Sequence, residues 1–273
     1  MSVVAVPRVV FGLVVPAGGG GELPTRVDRL TKMIGEHAGI EIERFDAPGY
    51  EALAKEVRER RVDIAWLPPI VFVRLADAVT PIGSILRGGQ SAYEAALVVK
   101  SDSKFKTIDG LRGTRAGWVD PWSAAGFVLP RVKLALLGVD PRSVFRTETF
   151  YGGHRAVMKA LAEGACDVAG TYARADADGT VTAGAWSEVE GAEVRVLATF
   201  GAIPPDVIAV RNDYPKDARV KIVESLRTAC AEESTRGILR EIFNGDELKE
   251  GLVPGYDALR SALDMATARG LFD

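Results

Sequence analysis

The sequence predicts an α/β protein built as two lobes, each a mostly parallel sheet with helices on its faces. Three observations predict it. Strand-like apolar runs alternate with amphipathic helical runs through the first third of the chain. The middle third repeats that scheme. One helix–strand unit also recurs at a fixed offset: "YEALAKEVRERRVDIAWL" from Tyr50 and "HRAVMKALAEGACDVAGT" from His154 align Ala52 with Ala156, Lys55 with Lys159, Glu59 with Glu163, Asp63 with Asp167 and Ala65 with Ala169; the general likeness of amphipathic helix–strand units is the plain alternative.

"RVVFGLVV" reads as a buried strand. The apolar start "MSVVAVPRVVFGLVVPAGG" lacks a basic leading segment and is broken by Pro7 and Arg8, so it reads as strand rather than export signal. In "TRVDRLTKMIGEHAG", Val27, Leu30 and Ile34 fall on one helical stripe that Gly39 ends. "IEIERF" alternates as a strand. "YEALAKEVRERR" is a second helix with Leu53 and Val57 inward, and "VDIAWL" a third strand ended by Pro68 and Pro69. That is β-α-β-α-β.

"YEAALVV" and "TRAGWV" then read as strands, "PRVKLALLG" as a helix, "VFRTETF" as a strand, "HRAVMKALAEGA" as a helix and "CDVAGTY" as a strand. "VRVLATF" and "DVIAVR" read as strands with Pro204 and Pro205 between them. Three helical stretches come after them, ending in "YDALRSALDMATARG". The expected division is residues 1–88 plus 205–273 for one lobe and 89–204 for the other, with hinges near 87–91 and 199–205.

Several function classes fall away. Lys plus Arg is 34 and Asp plus Glu is 37, a net charge of −3, so no basic footprint for nucleic acid exists. No apolar run reaches membrane-spanning length. There is no G-x-S-x-G, H-E-x-x-H, Walker A or C-x-x-C. "AGGGGELP" departs from G-x-G-x-x-G at Leu23 and reads as a loop. Two histidines, His37 and His154, exclude a multi-histidine metal site. Cys166 and Cys230 match no metal or redox spacing, and Cys166 reads as a buried thiol in an apolar strand. The expectation is no catalytic residue, no metal and no cofactor.

The stretch "DPWSAAGF" reads as the mouth of a helix. Free backbone amides and the helix dipole suit an anionic oxygen there. Ser123 serves as cap or donor, and Ala124, Ala125 and Gly126 are small enough for close approach. An ordinary serine-capped helix is the plain alternative. Tyr50 and His154, as counterparts opening matched helices, lie at the strand edge where open α/β sheets bind ligands. Trp66, Tyr93, Trp122 and Tyr172 sit at strand ends or in loops and, with Tyr50, are fit to wall a small pocket; each alone is equally at home in packing.

The order of "FDAPGYEAL", "VDIAWLPP", "AYEAALVVKSDSKFKTIDGLRG", "DPWSAAGFVLPRVKLALLGVDP", "GGHRAVMKALAEGACDVAG" and "GLVPGYDALRSAL" resembles the periplasmic phosphonate-binding protein family. That family serves ABC transporters for phosphate, phosphite and phosphonates. The resemblance implies the type II periplasmic binding protein fold with its ligand cleft between the lobes. It implies an anion held at Ser123, Ala124, Ala125 and Gly126, a contact from His154, and Tyr50 and Tyr93 lining the cleft. The family commonly carries Ser-Thr-Ser before the glycine, where this chain has Ser-Ala-Ala, so two hydroxyl donors are absent. A hydrogen bond to a charged group contributes roughly 1.5–3 kcal/mol.

The expected function is therefore a solute-binding protein for a small anion, phosphonate- or phosphate-like or a carboxylate, that hands its ligand to an ABC transporter permease. A cytoplasmic ligand sensor and a biosynthetic enzyme on the same fold are the alternatives. No nucleic-acid partner and no membrane insertion are expected. The expected compartment is periplasmic or extracellular if a signal peptide has been removed, and cytoplasmic if Met1 is the native start.

Overall fold

The computed structural model describes residues 8–15, 22–176, 178–243, 245 and 247–272, without the side chains of Cys230, Ser234, Thr235 and Phe243. The expected strand start before Arg8, most of the "AGGGGELP" loop and the Cys230 thiol lie outside the described residues. The chain runs β1 (Arg8–Val14), α1 (Leu23–Ala38), β2 (Glu41–Ala47), α2 (Tyr50–Arg58), β3 (Ile64–Leu67), α3 (Pro69–Leu75) and β4 (Val79–Leu86). It continues through β5 (Tyr93–Lys100), β6 (Thr114–Trp118), a π-turn (Ala124–Val128), α4 (Leu129–Leu136), β7 (Phe145–Phe150), α5 (His154–Ala162), β8 (Val168–Ala175), β9 (Val181–Gly184) and β10 (Val194–Ile203). It ends with β11 (Val207–Arg211), α6 (Lys216–Ala231), α7 (Glu233–Phe243), β12 (Glu247–Glu250) and α8 (Tyr256–Ala268).

Two compact units result. One holds the chain up to Ser91 together with Pro205–Pro254; the other holds Ala92–Pro204 together with the chain from Gly255. The sequence pattern assigns all of 205–273 to the first lobe. The last helix instead belongs to the second unit. Its Ala266, with Leu271, packs on Val132 of α4, and the Phe272 ring lies 5.8 Å from that of Phe127. An amphipathic stripe announces that a helix is covered, not which surface covers it.

In the first unit the sheet order is β12-β4-β11-β3-β1-β2. Strands β3, β1 and β2 are parallel, and β11, β4 and β12 add antiparallel pairs. The α1 stripe of Val27, Leu30 and Ile34 is buried against Val9, Phe11 and Leu13 of β1, each such side chain contributing about 1.5–3 kcal/mol by leaving water. Gly39 closes α1 at φ 63°. On the other face of β1, a Cβ at Gly12 would sit 2.7 Å from Val62 and 2.9 Å from Leu53, so glycine lets α2 approach. Pro69, expected only to end a strand, instead opens α3, where a missing N–H costs nothing.

The second unit repeats this plan. Its sheet order is β10-β5-β8-β6-β7, with β9 on β8; β8, β6 and β7 are parallel. Trp118 points to one face, against Phe127 and Phe145. Its neighbour Gly117 points to the other, where a Cβ would meet Val157 of α5 at 2.9 Å and Cys166 at 2.8 Å. Cys166 lies just before β8 rather than within it, and burial pushes the pKa of its thiol up to about 12.

The 104-residue echo is a repeated clamp. Asp63, before β3, accepts from the Val10 amide of β1 at 2.8 Å and pairs with Arg211 at 2.7 Å. Asp167, before β8, accepts from the Arg115 amide of β6 at 2.9 Å and pairs with the Arg115 guanidinium at 2.7 Å. Helices α2 and α5 each start behind an extended glycine, Gly49 and Gly153. Hydrogen bonds from Arg115 hold the Asp167 carboxyl below its ordinary value, against the opposing pull of burial. A folded-state pKa below the unfolded one means stability present above the ordinary aspartate range and lost as pH falls through the folded value. Asp167→Asn is thus expected to cost about 1–2 kcal/mol at neutral pH. The gap in melting temperature between wild type and variant should shrink as the pH drops below the ordinary aspartate value of 3.8.

Candidate functional site

The stretch after β6 builds itself from local hydrogen bonds. Asp120 folds the loop: its Oδ1 accepts from the Trp122 amide at 2.8 Å and its carbonyl from the Ser123 amide at 2.9 Å. Ser123 then caps, its Oγ accepting from the Gly126 amide at 3.0 Å. Beyond the cap the chain forms a π-turn that runs directly into α4, not a plain α-helical first turn. The wider turn places the Phe127 and Val128 amides on the Ser123 carbonyl. Among the described residues, neither the Ala124 nor the Ala125 amide has a protein acceptor, and both residues are buried. Buried amides need an acceptor. The Ser123 hydroxyl accepts from Gly126 and keeps its own proton to donate.

Glycine is required twice here. A Cβ at Gly126 would sit 2.3 Å from Val119. A Cβ at Gly170 of β8 would sit 2.7 Å from the Trp118 ring and 2.9 Å from the Gly126 carbonyl. The π-turn is therefore pressed onto β6 and β8.

A buried ionic group supports the turn from behind. Arg131, 3 % exposed, donates from Nε to the Leu271 carbonyl at 2.6 Å and from Nη1 to Glu148 at 2.5 Å. Trp118 Nε1 donates to the same Glu148 oxygen at 2.7 Å. The guanidinium also stands 5.1 Å from the Phe127 ring.

His154 opens α5 at the same sheet edge. The Tyr151 and Gly152 amides donate to the Trp118 and Val119 carbonyls at 2.9 and 2.8 Å, so the start of α5 runs beside the strand end that leads to Ser123. Helix α4 covers one face of the sheet and α5 the other, both starting at the carboxyl edge, where open α/β sheets bind ligands. His154 Nδ1 lies 3.0 Å from Thr171 Oγ1. The Tyr172 ring packs edge-on to His154 at 5.0 Å, and Tyr93 edge-on to Tyr172 at 6.4 Å. Tyr172 donates its hydroxyl proton to Glu188, and Arg174 stands 5.5 Å from its ring.

The second unit thus carries Tyr93, Trp122, Ser123, Ala124, Ala125, Gly126, His154 and Tyr172 of the expected residues. Tyr50 and Trp66 belong to the first unit: Tyr50 opens α2, and Trp66, on β3, packs partly against the core that includes Ile208. Thr171, Glu188, Gly170 and Arg131 do not stand out in the sequence. For Thr171, the one signal is its place beside Tyr172 in "CDVAGTY".

A cavity of about 460 Å³ in the first unit is lined by Arg227, Arg236, Arg240, Leu248 and Glu250, among others, and by none of the expected residues. Its arginines are engaged, Arg227 with Glu250 at 2.6 Å and the other two with Glu233. Among the described residues no group of three or more acidic, histidine or cysteine side chains is placed to hold a metal, and no helix is long and apolar enough to cross a membrane.

Residues 13–253 match the family model described as ABC transporter, phosphonate, periplasmic substrate-binding protein. The phosphate-import protein PhnD of Mycolicibacterium smegmatis (strain ATCC 700084 / mc(2)155) is 26% identical over 286 residues, covering 95% of this chain and 86% of that protein. A binding protein component of an ABC phosphonate transporter from Pseudomonas aeruginosa superposes with a TM-score of 0.82 at 19% identity, covering 97% of this chain and 89% of the other. PhnD1 from Prochlorococcus marinus (MIT 9301), in complex with methylphosphonate, superposes with a TM-score of 0.75 at 16% identity, covering 95% and 98%.

Proposed function

The chain belongs to the family of periplasmic substrate-binding proteins of phosphonate ABC transporters, and from that premise we propose that it captures a phosphonate or phosphate-like oxyanion on the amides of Ala124 and Ala125, the Ser123 hydroxyl and His154. The family is one of transport components rather than catalysts. The observation that carries the reading is the pair of buried amides at the mouth of the π-turn, which no protein acceptor meets among the described residues. An anionic oxygen satisfies them, and the dipole of the continuous turn and α4 adds to the attraction. Trp122, Tyr93 and Tyr172 supply walls for the organic part of the guest. A permease of an ABC transporter receives the bound ligand. The periplasm is the compartment this reading assigns.

Ser-Ala-Ala offers fewer hydroxyls than a tetrahedral oxyanion can use, which leaves a carboxylate as the competing guest. Titration calorimetry with methylphosphonate, inorganic phosphate and acetate separates them. The wild type is expected to take methylphosphonate and phosphate ahead of acetate. The double substitution Ala124→Thr, Ala125→Ser is expected to tighten the two tetrahedral anions by about tenfold or more and to change acetate least. Heat from none of the three in the wild type would overturn the reading.

A further inference from the structure

We propose that Thr171 is a positioning residue that dictates which nitrogen of His154 carries the proton, so that the protein presents an Nε2–H donor and selects guests bringing a lone-pair oxygen. This rests on the oxyanion reading of the site and adds the device that makes its histidine a donor.

Thr171 is fully buried, 0% exposed. Its hydroxyl carries one proton, and a buried O–H requires an acceptor. Among the described residues the partner of that hydroxyl is His154 Nδ1, 3.0 Å away. A neutral imidazole with Nδ1 bare accepts the threonine proton and carries its own proton on Nε2. The opposite tautomer would donate from Nδ1 to Oγ1 and strand the threonine proton in a dry site. The first arrangement satisfies both groups and the second does not, so the hydroxyl selects the Nε2–H form.

The surroundings hold that geometry. Threonine is β-branched and stiff at χ1, and Thr171 sits inside the ladder opposite Ala96. The Tyr172 ring packs edge-on against the imidazole and is itself tethered through its hydroxyl to Glu188. The residue before Thr171 is Gly170, which lies against the Gly126 carbonyl on the opposite face of the strand. One short piece of β8 therefore sets both the seat of the π-turn and the tautomer of the histidine. An Nε2–H donor rewards a deprotonated oxygen and gives nothing to a guest that brings only another donor.

The test uses the fact that the chain has two histidines, His37 and His154. Nitrogen-15 NMR of the imidazoles, with His37→Gln for assignment and the pH set well above the ordinary imidazole range, reads the tautomer of His154 directly. Calorimetry reads the dissociation constants for methylphosphonate and inorganic phosphate. The wild type is expected to show the Nε2–H form alone. Thr171→Val, close in shape but without the hydroxyl, is expected to give a tautomer mixture and to weaken methylphosphonate about tenfold. Thr171→Ser is expected to restore both. Melting curves confirm that each variant is folded. An Nδ1–H tautomer in the wild type, or a Thr171→Val protein with unchanged tautomer and affinity, overturns the proposal. His154→Ala examines the reading beneath it: full affinity in that variant removes His154 from the site and takes the proposal with it, whatever tautomer the spectrum shows.

Discussion

Replacing Arg131 by methionine is expected to lower the stability of the second unit by about 3 kcal/mol. The side chain is 3 % exposed and joins three partners: the Glu148 carboxylate, the Leu271 carbonyl and the Phe127 ring. Removing one member of a buried ion pair typically costs about 3–5 kcal/mol, because the other charge stays behind. The lower end applies here, since Glu148 is 28 % exposed and keeps its bond from Trp118. Methionine fills much of the volume, so the loss is mainly electrostatic. Adding Glu148→Gln to Arg131→Met should recover part of the loss, because the amide oxygen still accepts from Trp118 and no charge is stranded. A denaturant double-mutant cycle measures that coupling. Equal stability of the Arg131→Met and wild-type proteins would show that the pair does not support the turn.

Gly126→Ala is expected to weaken the proposed oxyanion capture severely. The new methyl would sit 2.3 Å from Val119 Cγ2, 2.5 Å from Val119 Cβ and 2.8 Å from the Ser123 hydroxyl. Val119 is completely buried and has nowhere to retreat. Overpacking of this kind costs about 1–3 kcal/mol. Relief comes most readily by lifting the π-turn, which breaks the Ser123–Gly126 cap and moves the Ala124 and Ala125 amides. Calorimetry should find affinity for methylphosphonate reduced at least about a hundredfold, the worth of two displaced hydrogen bonds to a charged ligand. Gly110→Ala serves as control in the same unit, since its Cβ would meet only Thr107 at an ordinary 3.6 Å. A Gly126→Ala protein that binds as the wild type does would remove the π-turn from the site.

Much of the fold is legible in the chain because its signals are local. Val27, Leu30 and Ile34 define a helical face without reference to anything else, and "IEIERF" alternates without help. The matched aspartates at 63 and 167 also stand out, although their shared task of pinning a neighbouring strand requires coordinates. Strand β4 escapes detection because Pro81 and Gly83 interrupt its pattern, and its partners β11 and β12 come from distant sequence. Strand β12, "ELKE", carries the charges of a guarded sheet edge and so has no apolar alternation to detect. The helix mouth at Asp120–Gly126 is readable from residue types. Its π character is not, since it depends on Trp118 and Gly170 pressing from neighbouring strands. Arg131 looks like a surface residue of an amphipathic helix, and its burial depends on a carbonyl 140 residues away.

That long separation has a consequence for biogenesis. Translation proceeds at about 5–20 residues per second, so the Leu271 carbonyl, 140 residues on, emerges about 7–28 seconds after Arg131 does. During that interval the guanidinium lacks one of its acceptors and α4 lacks its cover from the final helix. A nascent second unit is thus held short of its mature form until residue 271 has been made.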